Sequence, residues 1–491
     1  MSSPTPSRPR RRFASLGLGL LTGLLLAFLS SFLSSSAREL TILHTNDIHG
    51  AFAPREADWR DDRRPIGGME ALADRVRDAR HAGGGVLLLD AGDIMTGNPI
   101  CDIEVDGVRG GGLIDLMNTV GYDALALGNH ELDISQENAL GLARLAEFPV
   151  LACNLVRDEG SLFTGHAATV LERDGVRVGV IGVITPHLAG VVQRESLEGL
   201  EVLDPVPAVQ ALADSLDPAT DLLVVLSHMG IEEDRRLARQ VSGIDLIVGG
   251  HSHTRLAEPE RVGEVHIAHA GSRLTQAGEL RIRVEDDRIA QLTGRLVDLW
   301  IDEMEPQPDL GTKVEHYQEA VDEAFGEEIG RLRVDWRRDY HGESNLGNWI
   351  TDVLRDVTGA DFAVLNSGGI RKDLAAGPIR RLDLNEIFPF DNSVCTFRCT
   401  GSEILEMARR NATAQVRESY GILQISGMAY TFRRQSDGAE LVDIEVAGEP
   451  VDPERTYRGA SVDFVVISQF DKYLGFQPRD VEELGYRLSE L

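Results

Sequence analysis

From Leu40 to about Leu299, short apolar and β-branched runs alternate with longer amphipathic segments. The runs predict strands at Leu40–His44, Val86–Asp90, Ala124–Leu127, Val150–Cys153, Val176–Ile184, Leu222–Leu226, Leu246–Val248 and Val265–Ala268. Apolar positions at helical spacing predict helices over Gly68–Ala82, Gly112–Thr119 and Glu232–Val241. Strand and helix in alternation predict a layered α/β domain over residues 38–300. The pattern then changes. Residues 301–330 turn acidic, with Pro306 and Pro308 ahead of a helical run at Lys313–Phe325, which reads as a helical linker. Residues 331–491 form a second, smaller α/β domain, with helices at Asn345–Thr358 and Ser402–Arg410. Its strands are expected at Phe362–Leu365, Val394–Cys399 and Met428–Phe432. No internal repeat is visible.

The first 37 residues follow another logic. Arg8, Arg10, Arg11 and Arg12 precede an apolar run from Leu16 to Leu33, which ends in Ser34-Ser35-Ser36-Ala37. This is the order of a secretory signal, with Ser35 and Ala37 at the −3 and −1 positions of a cleavage site. Left uncleaved, the same run would be an N-terminal membrane anchor. Either way the expected location is periplasmic or extracellular.

Charge sharpens the picture. The 491 residues hold 49 Lys and Arg against 79 Asp and Glu, a formal charge of −30. That excludes a protein that coats nucleic acid through a basic face. Export would permit disulfides, but there are only four cysteines. Cys395 and Cys399 are too far apart along an extended run to bridge, and Cys101 and Cys153 are left open as a pair. None has metal-site spacing, and sequence says nothing of oligomeric state.

The chemistry-bearing residues recur where an apolar strand runs out into a loop: Asp47-Ile48-His49, Gly92-Asp93, Gly128-Asn129-His130-Glu131, His228, and Gly250-His251-Ser252-His253. Loops at one edge of an α/β sheet are where such folds hold ligands. Asp47 and His49 are two apart and on an extended backbone would face one side; His251 and His253 repeat that spacing. Oxygen and imidazole donors without thiolate suit Zn, Mn, Co or similar divalent ions. Each segment alone is a common turn or helix cap. Five in this order are not.

Together these motifs resemble the calcineurin-like dinuclear metallophosphoesterases. Leu43-His44-Thr45-Asn46-Asp47-Ile48-His49-Gly50, Gly128-Asn129-His130-Glu131-Leu132-Asp133 and the second domain resemble, more narrowly, the exported 5′-nucleotidase family, over about residues 38–460. The resemblance implies a metallophosphoesterase β-sandwich with flanking helices, followed by a C-terminal substrate-binding domain. It implies two divalent metal ions, one held by Asp47, His49 and His253, the other by Asn129, His228 and His251, with Asp93 between them. His130 would face the phosphate, and Asp133 would orient its ring.

In the second domain, Asn366-Ser367-Gly368-Gly369-Ile370-Arg371 and Phe388-Pro389-Phe390-Asp391-Asn392 resemble the family's substrate segments. The resemblance implies that Asn366, Arg371, Phe390 and Asn392 contact a small-molecule nucleotide, with Gln424-Ile425-Ser426-Gly427 lining the same pocket. A second stacking ring is expected from Phe470, Tyr473 or Phe476. The family's other substrate arginines have no clear match, though Arg337 and Arg338 lie near. In relatives the second domain swings to carry substrate to the metals. The implied activity is hydrolysis of nucleoside 5′-monophosphates, with nucleotide sugars as further substrates. The same layout serves 2′,3′-cyclic-nucleotide phosphodiesterases and thiosulfohydrolases. A non-catalytic nucleotide-binding protein would have lost ligand residues, and none of the seven is missing.

Overall fold

The computed structural model describes residues 37–57, 59–418 and 421–491. The expected export segment therefore lies, apart from Ala37, outside the described residues. Among those described, no helix is long and apolar enough to cross a membrane.

Two six-stranded sheets face each other in the first domain. One has the order 288–298, 276–285, 38–45, 85–90, 124–126, 150–151; the other runs 168–173, 176–184, 222–228, 246–249, 265–269, 260–262. Alternation along the strands explains why they stack. Ile42, Leu87, Leu89, Val180, Val224 and Leu226 point into one core between the sheets. Their neighbours Leu43, Val86 and Leu88 face the helices Met69–Ala82 and Gly111–Val120. On the other side, Ile181, Leu223 and Val225 face the helices Pro205–Leu216 and Ile231–Gln240. Strands buried on both faces read as unbroken apolar runs, which is how they appear in the sequence.

The inner strands are parallel, so their C-terminal ends share one edge. Thr45 sits opposite Asp90, and Ser227 opposite Gly249. Thr45 Oγ1 donates to Asp90 at 2.5 Å, tying two of these ends together beneath the loops.

The helix Pro308–Phe325 is not a free connector. Leu310, Val314, Tyr317 and Val321 are buried in the first domain's outer core, and the Tyr317 hydroxyl donates to Asp115 at 3.0 Å. The second domain is built on a five-stranded sheet, order 423–426, 362–366, 456–462, 393–400, 479–487, with the helices Asn345–Thr358 and Gly401–Arg417 against it. Its core is separate from those of the first domain. All four cysteines are free and buried, so Cys101 and Cys153 do not pair. Burial pushes each thiol up to about 12, which makes them inert.

Candidate metal centre

Seven side chains from five strand-end loops converge at this edge. Asp47, His49 and His253 form one group whose donor atoms lie within 4.8 Å of one another; Asp93, His228 and His251 form a second. Asn129 joins the second, its Oδ1 being 3.2 Å from His228 Nε2. Asp93 also approaches His49 and His130, so it lies between the groups.

The convergence does not come from an extended backbone. The strand Arg38–Thr45 has ended before Asp47, and φ is +51° at Asp47, +50° at His49, +59° at Asp93, +72° at His251 and +52° at His253. The extended backbone assumed for the Asp-x-His and His-x-His pairs is therefore overturned, although Asp47 and His49 still meet in one group. Left-handed turns redirect each donor, and they send His251 and His253 into different groups. Non-glycine residues rarely adopt this conformation, at roughly 1–2 kcal/mol each. Such strain persists only where surrounding structure enforces it. Here Asp47 N–H donates to Gly92 O at 2.9 Å, and His49 N–H to Asp93 O at 3.0 Å. A Cβ on Gly128 would lie 2.3 Å from the Asp93 amide nitrogen, so only glycine lets those two loops meet.

The imidazoles are oriented for ligation. His49 Nδ1 lies 3.0 Å from Met95 O and His228 Nδ1 lies 2.7 Å from Ala91 O. Each carbonyl accepts the Nδ1 proton and leaves Nε2 with its lone pair facing the cluster. His49 Nε2 and His253 Nε2 are 2.9 Å apart, two acceptors converging on one point. Two buried carboxylates among imidazoles, with no Lys or Arg paired to them among the described residues, make a donor set that fits divalent cations. Burial raises the Asp47 carboxyl to about 7, whereas Asp93 is held well below the ordinary range by His228 and His130 despite its burial.

His130 lies on the short helical turn His130–Leu132 beside the cluster. Its Nδ1 meets Asp133 Oδ2 at 2.6 Å, and Thr96 Oγ1 donates to the same oxygen at 2.6 Å. Burial works against a charged ring, but Asp133 and Asp93 outweigh it and raise its pKa.

Above the cluster opens a cavity of about 670 Å³, walled by both domains. Asn366, Arg371, Phe390 and Asn392 all line it. The Phe390 ring stands 5.8 Å from His130 and 5.9 Å from the Arg371 guanidinium. Of the three rings considered for the second aromatic, Tyr473 lines the cavity; Phe464, which sequence did not single out, joins it. Gly427 lies apart. It lines another cavity, of about 420 Å³, with Gln424 and Ser426, so this segment does not share the Phe390 pocket.

Sequence reasoning passed over Arg55 and Arg273, which line the main cavity together with Arg338, one of the two arginines noted nearby in the sequence. Burial and the nearby Arg371 lower the Arg273 pKa to about 10. Behind the cluster, fully buried Asp234 accepts from Ser227 Oγ at 2.5 Å and meets His269 Nε2 at 2.7 Å. His269 thus has a buried acid as its partner. An acid on a helix and a histidine at a strand end, 35 residues apart, leave no local signal.

Residues 40–255 match the calcineurin-like phosphoesterase family, and with this fold and donor set they define a metal-dependent phosphoester hydrolase. Residues 326–476 match the 5′-nucleotidase C-terminal domain. The chain belongs to the two-domain 5′-nucleotidase family. It is 27% identical to Protein UshA of Escherichia coli over 91% of this chain and 90% of that protein. It is 28% identical to the 5′-nucleotidase of Vibrio vulnificus, covering 86% and 83%. Among solved structures, a 5′-nucleotidase precursor from Thermus thermophilus superposes with a TM-score of 0.82 at 27% identity, covering 92% of this chain and 95% of that one.

Proposed function

We propose that the protein is an exported 5′-nucleotidase that hydrolyses nucleoside 5′-monophosphates, and in addition nucleotide sugars, at a dinuclear metal centre. One observation carries the reading. The two donor groups, joined through Asp93, open on a single cavity whose far wall, with Asn366, Arg371 and Phe390, comes from the second domain. The relatives named 5′-nucleotidase support the substrate class. Export rests on the order of residues 8–37 in the sequence.

In this reading Asp47, His49 and His253 would hold one ion, Asn129, His228 and His251 would hold the other, and Asp93, which lies between the groups, would serve both. When bound, two divalent ions polarise the phosphoryl group and supply a water nucleophile at neutral pH. The chain does the rest. Arg371 offers a planar fork to phosphate oxygens. His130 donates the Nε2 proton to the departing 5′ oxygen, while Asp133 accepts the Nδ1 proton and fixes the ring. Phe390 stacks on the base, and Tyr473 and Phe464 also line the cavity. Asn366 Oδ1 is buried and meets no donor among the described residues, which suits a ribose hydroxyl.

The test is phosphate release from AMP, 2′,3′-cyclic AMP and UDP-glucose by chelated enzyme with Mn, Co or Zn restored. AMP turnover that returns with metal supports the reading. Metal-loaded enzyme inert toward every one of them would sink it.

A further inference from the structure

Three parallel strands, Leu222–His228, Leu246–Gly249 and Val265–His269, end in one row: Ser227 lies opposite Gly249, and Gly249 opposite His269. Just past this row, the first two strands deliver His228 and His251 to the donor group that includes Asp93 and Asn129. Asp234 reaches across the row from the helix Ile231–Gln240. One carboxylate oxygen accepts from Ser227 Oγ at 2.5 Å and the other from His269 Nε2 at 2.7 Å, so a single side chain grips the first and third strand ends. It passes over the middle one. A Cβ on Gly249 would lie 2.2 Å from Asp234 Oδ2 and 2.2 Å from His269 Nε2, so only glycine permits the span.

The acid stands where the helix pattern wants an apolar residue. Asp234, Leu237 and Ala238 are the buried positions of the helix, spaced at three and four along its sheet-facing side. Asp234, Ser227 and His269 are all fully buried. Desolvating a carboxylate and an imidazole offsets most of their attraction, so such a pair adds little net stability over apolar side chains of like size. What it supplies is direction, through two bonds of fixed length between elements far apart in the chain. A further tie runs from the same helix to the donor loop, where Ser252 Oγ, between His251 and His253, accepts from the Ile231 amide at 3.1 Å. The first donor group has anchors of its own: Asp47 on Gly92, and His49 on Asp93 and Met95.

We infer that Asp234 is a positioning residue: by clamping the ends of the strands that carry Ser227 and His269 across Gly249, it sets His228 and His251 at the spacing one divalent ion requires, and the second donor group depends on it while the first does not. The inference rests on the dinuclear reading above and deepens it, since it makes the two ions unequal in what holds them. Asp234 touches neither ion donor atoms nor substrate. It acts through the residue before His228 and through the strand end beneath His251, and second partners of this kind commonly govern how well a ligand set closes on its metal.

Asp234→Leu keeps the branched shape and suits the apolar side of the helix while removing both acceptors. Asp234→Asn keeps one accepting oxygen, and Ser227→Ala releases one grip alone. Mn is titrated calorimetrically into the chelated protein, with His251→Ala marking which step belongs to the second group, and the melting temperature of each metal-free protein is read alongside. Asp234→Leu is expected to weaken the His251-dependent step by about 10- to 100-fold, the usual effect of losing a residue that orients a ligand, while the other step moves by less than about threefold. Its metal-free melting temperature should hold or rise, because an apolar side chain replaces a buried charge. Asp234→Asn and Ser227→Ala should fall between it and the unaltered protein, and turnover lost at limiting Mn should return at saturating Mn. Equal weakening of both steps, or none in the His251-dependent step, would overturn the assignment; should Asp234→Leu fail to fold, Ser227→Ala is judged by the same criterion. An unaltered protein that takes up a single ion would instead defeat the dinuclear reading, and the His251-dependent step would still report on Asp234.

Discussion

The Glu131 carboxylate accepts the amide hydrogen of Asp93 at 3.1 Å, and this contact joins two of the loops that carry the metal donors. The same carboxylate accepts from Ile94 at 2.9 Å, Met95 at 3.1 Å and Gly128 at 2.7 Å. One buried side chain thus ties the Asp93 loop to the loop of Asn129 and His130. It touches no substrate and acts by position. In Glu131→Gln the amide would place a donor against one of these N–H groups and weaken the rest. Hydrogen bonds to a charged group contribute about 1.5–3 kcal/mol each, so we expect metal affinity to fall at least about tenfold. Metal retained after dialysis, counted by mass spectrometry, checks this; full retention with normal activity would refute it.

His130 and Asp133 act as a pair, with Nδ1 and Oδ2 at 2.6 Å. His130→Ala should keep both metals and lose roughly 10²–10⁴-fold in kcat, the range of general acid catalysis. Asp133→Asn should lose less, because the ring remains but its tautomer is no longer held. Near-normal turnover in His130→Ala would remove it from the mechanism.

Metal removal should also destabilise the fold. Five of the seven donors carry left-handed backbone and two are buried carboxylates, and a ligand that binds only the folded state adds stability by mass action. At a hundredfold excess over Kd that amounts to about 2.7 kcal/mol for one ion. Calorimetry with EDTA, followed by Mn or Zn add-back, should show Tm fall and recover. A melting curve indifferent to both would show that the donor set binds no ion tightly.

Glu279 supplies a pH test remote from the catalytic cavity. Burial disfavours its charge, yet hydrogen bonds from Arg75, Arg281 and Arg295 hold the carboxyl down at about 2, against 4.5 for an ordinary glutamate. A carboxyl whose folded pKa is depressed adds stability that is present above the unfolded value and lost as pH falls through the folded one. The window is therefore about pH 4.5 down to 2. Since the three arginines are partly exposed, we expect about 1–3 kcal/mol rather than the full linkage value. Glu279→Gln should be less stable in urea near neutral pH and should lose less stability on acidification. Parallel acid limbs for the two proteins would contradict this.

Much was legible before any coordinates. Apolar runs at strand length located the inner strands, because a strand buried on both faces must be apolar throughout. The helix Asn345–Thr358 has its expected ends, marked by the Ser344 cap and by Gly359 in a left-handed turn. The candidate donors were recognisable because each segment follows a strand, and parallel strands bring their ends to one edge. Where each donor points was not legible. The face-sharing rule failed at His251 and His253, which go to different groups, since local spacing assumes one backbone conformation and the loops adopt another.

What the sequence by itself determined is therefore the inventory: two domains' worth of strand and helix, five donor-bearing loops, and an acidic surface around them. Periodicity and composition report burial and charge along the chain, and these are local. Only the tertiary structure decided which donors meet, since His49 and His253 are 204 residues apart and join through the packing of two sheets. It also decided that Arg273 enters the substrate cavity, that Asp234 pairs with His269, and that Gly427 belongs to a different hollow. Each of these depends on backbone turns and long-range contacts, whose energies arise only once the layers are stacked.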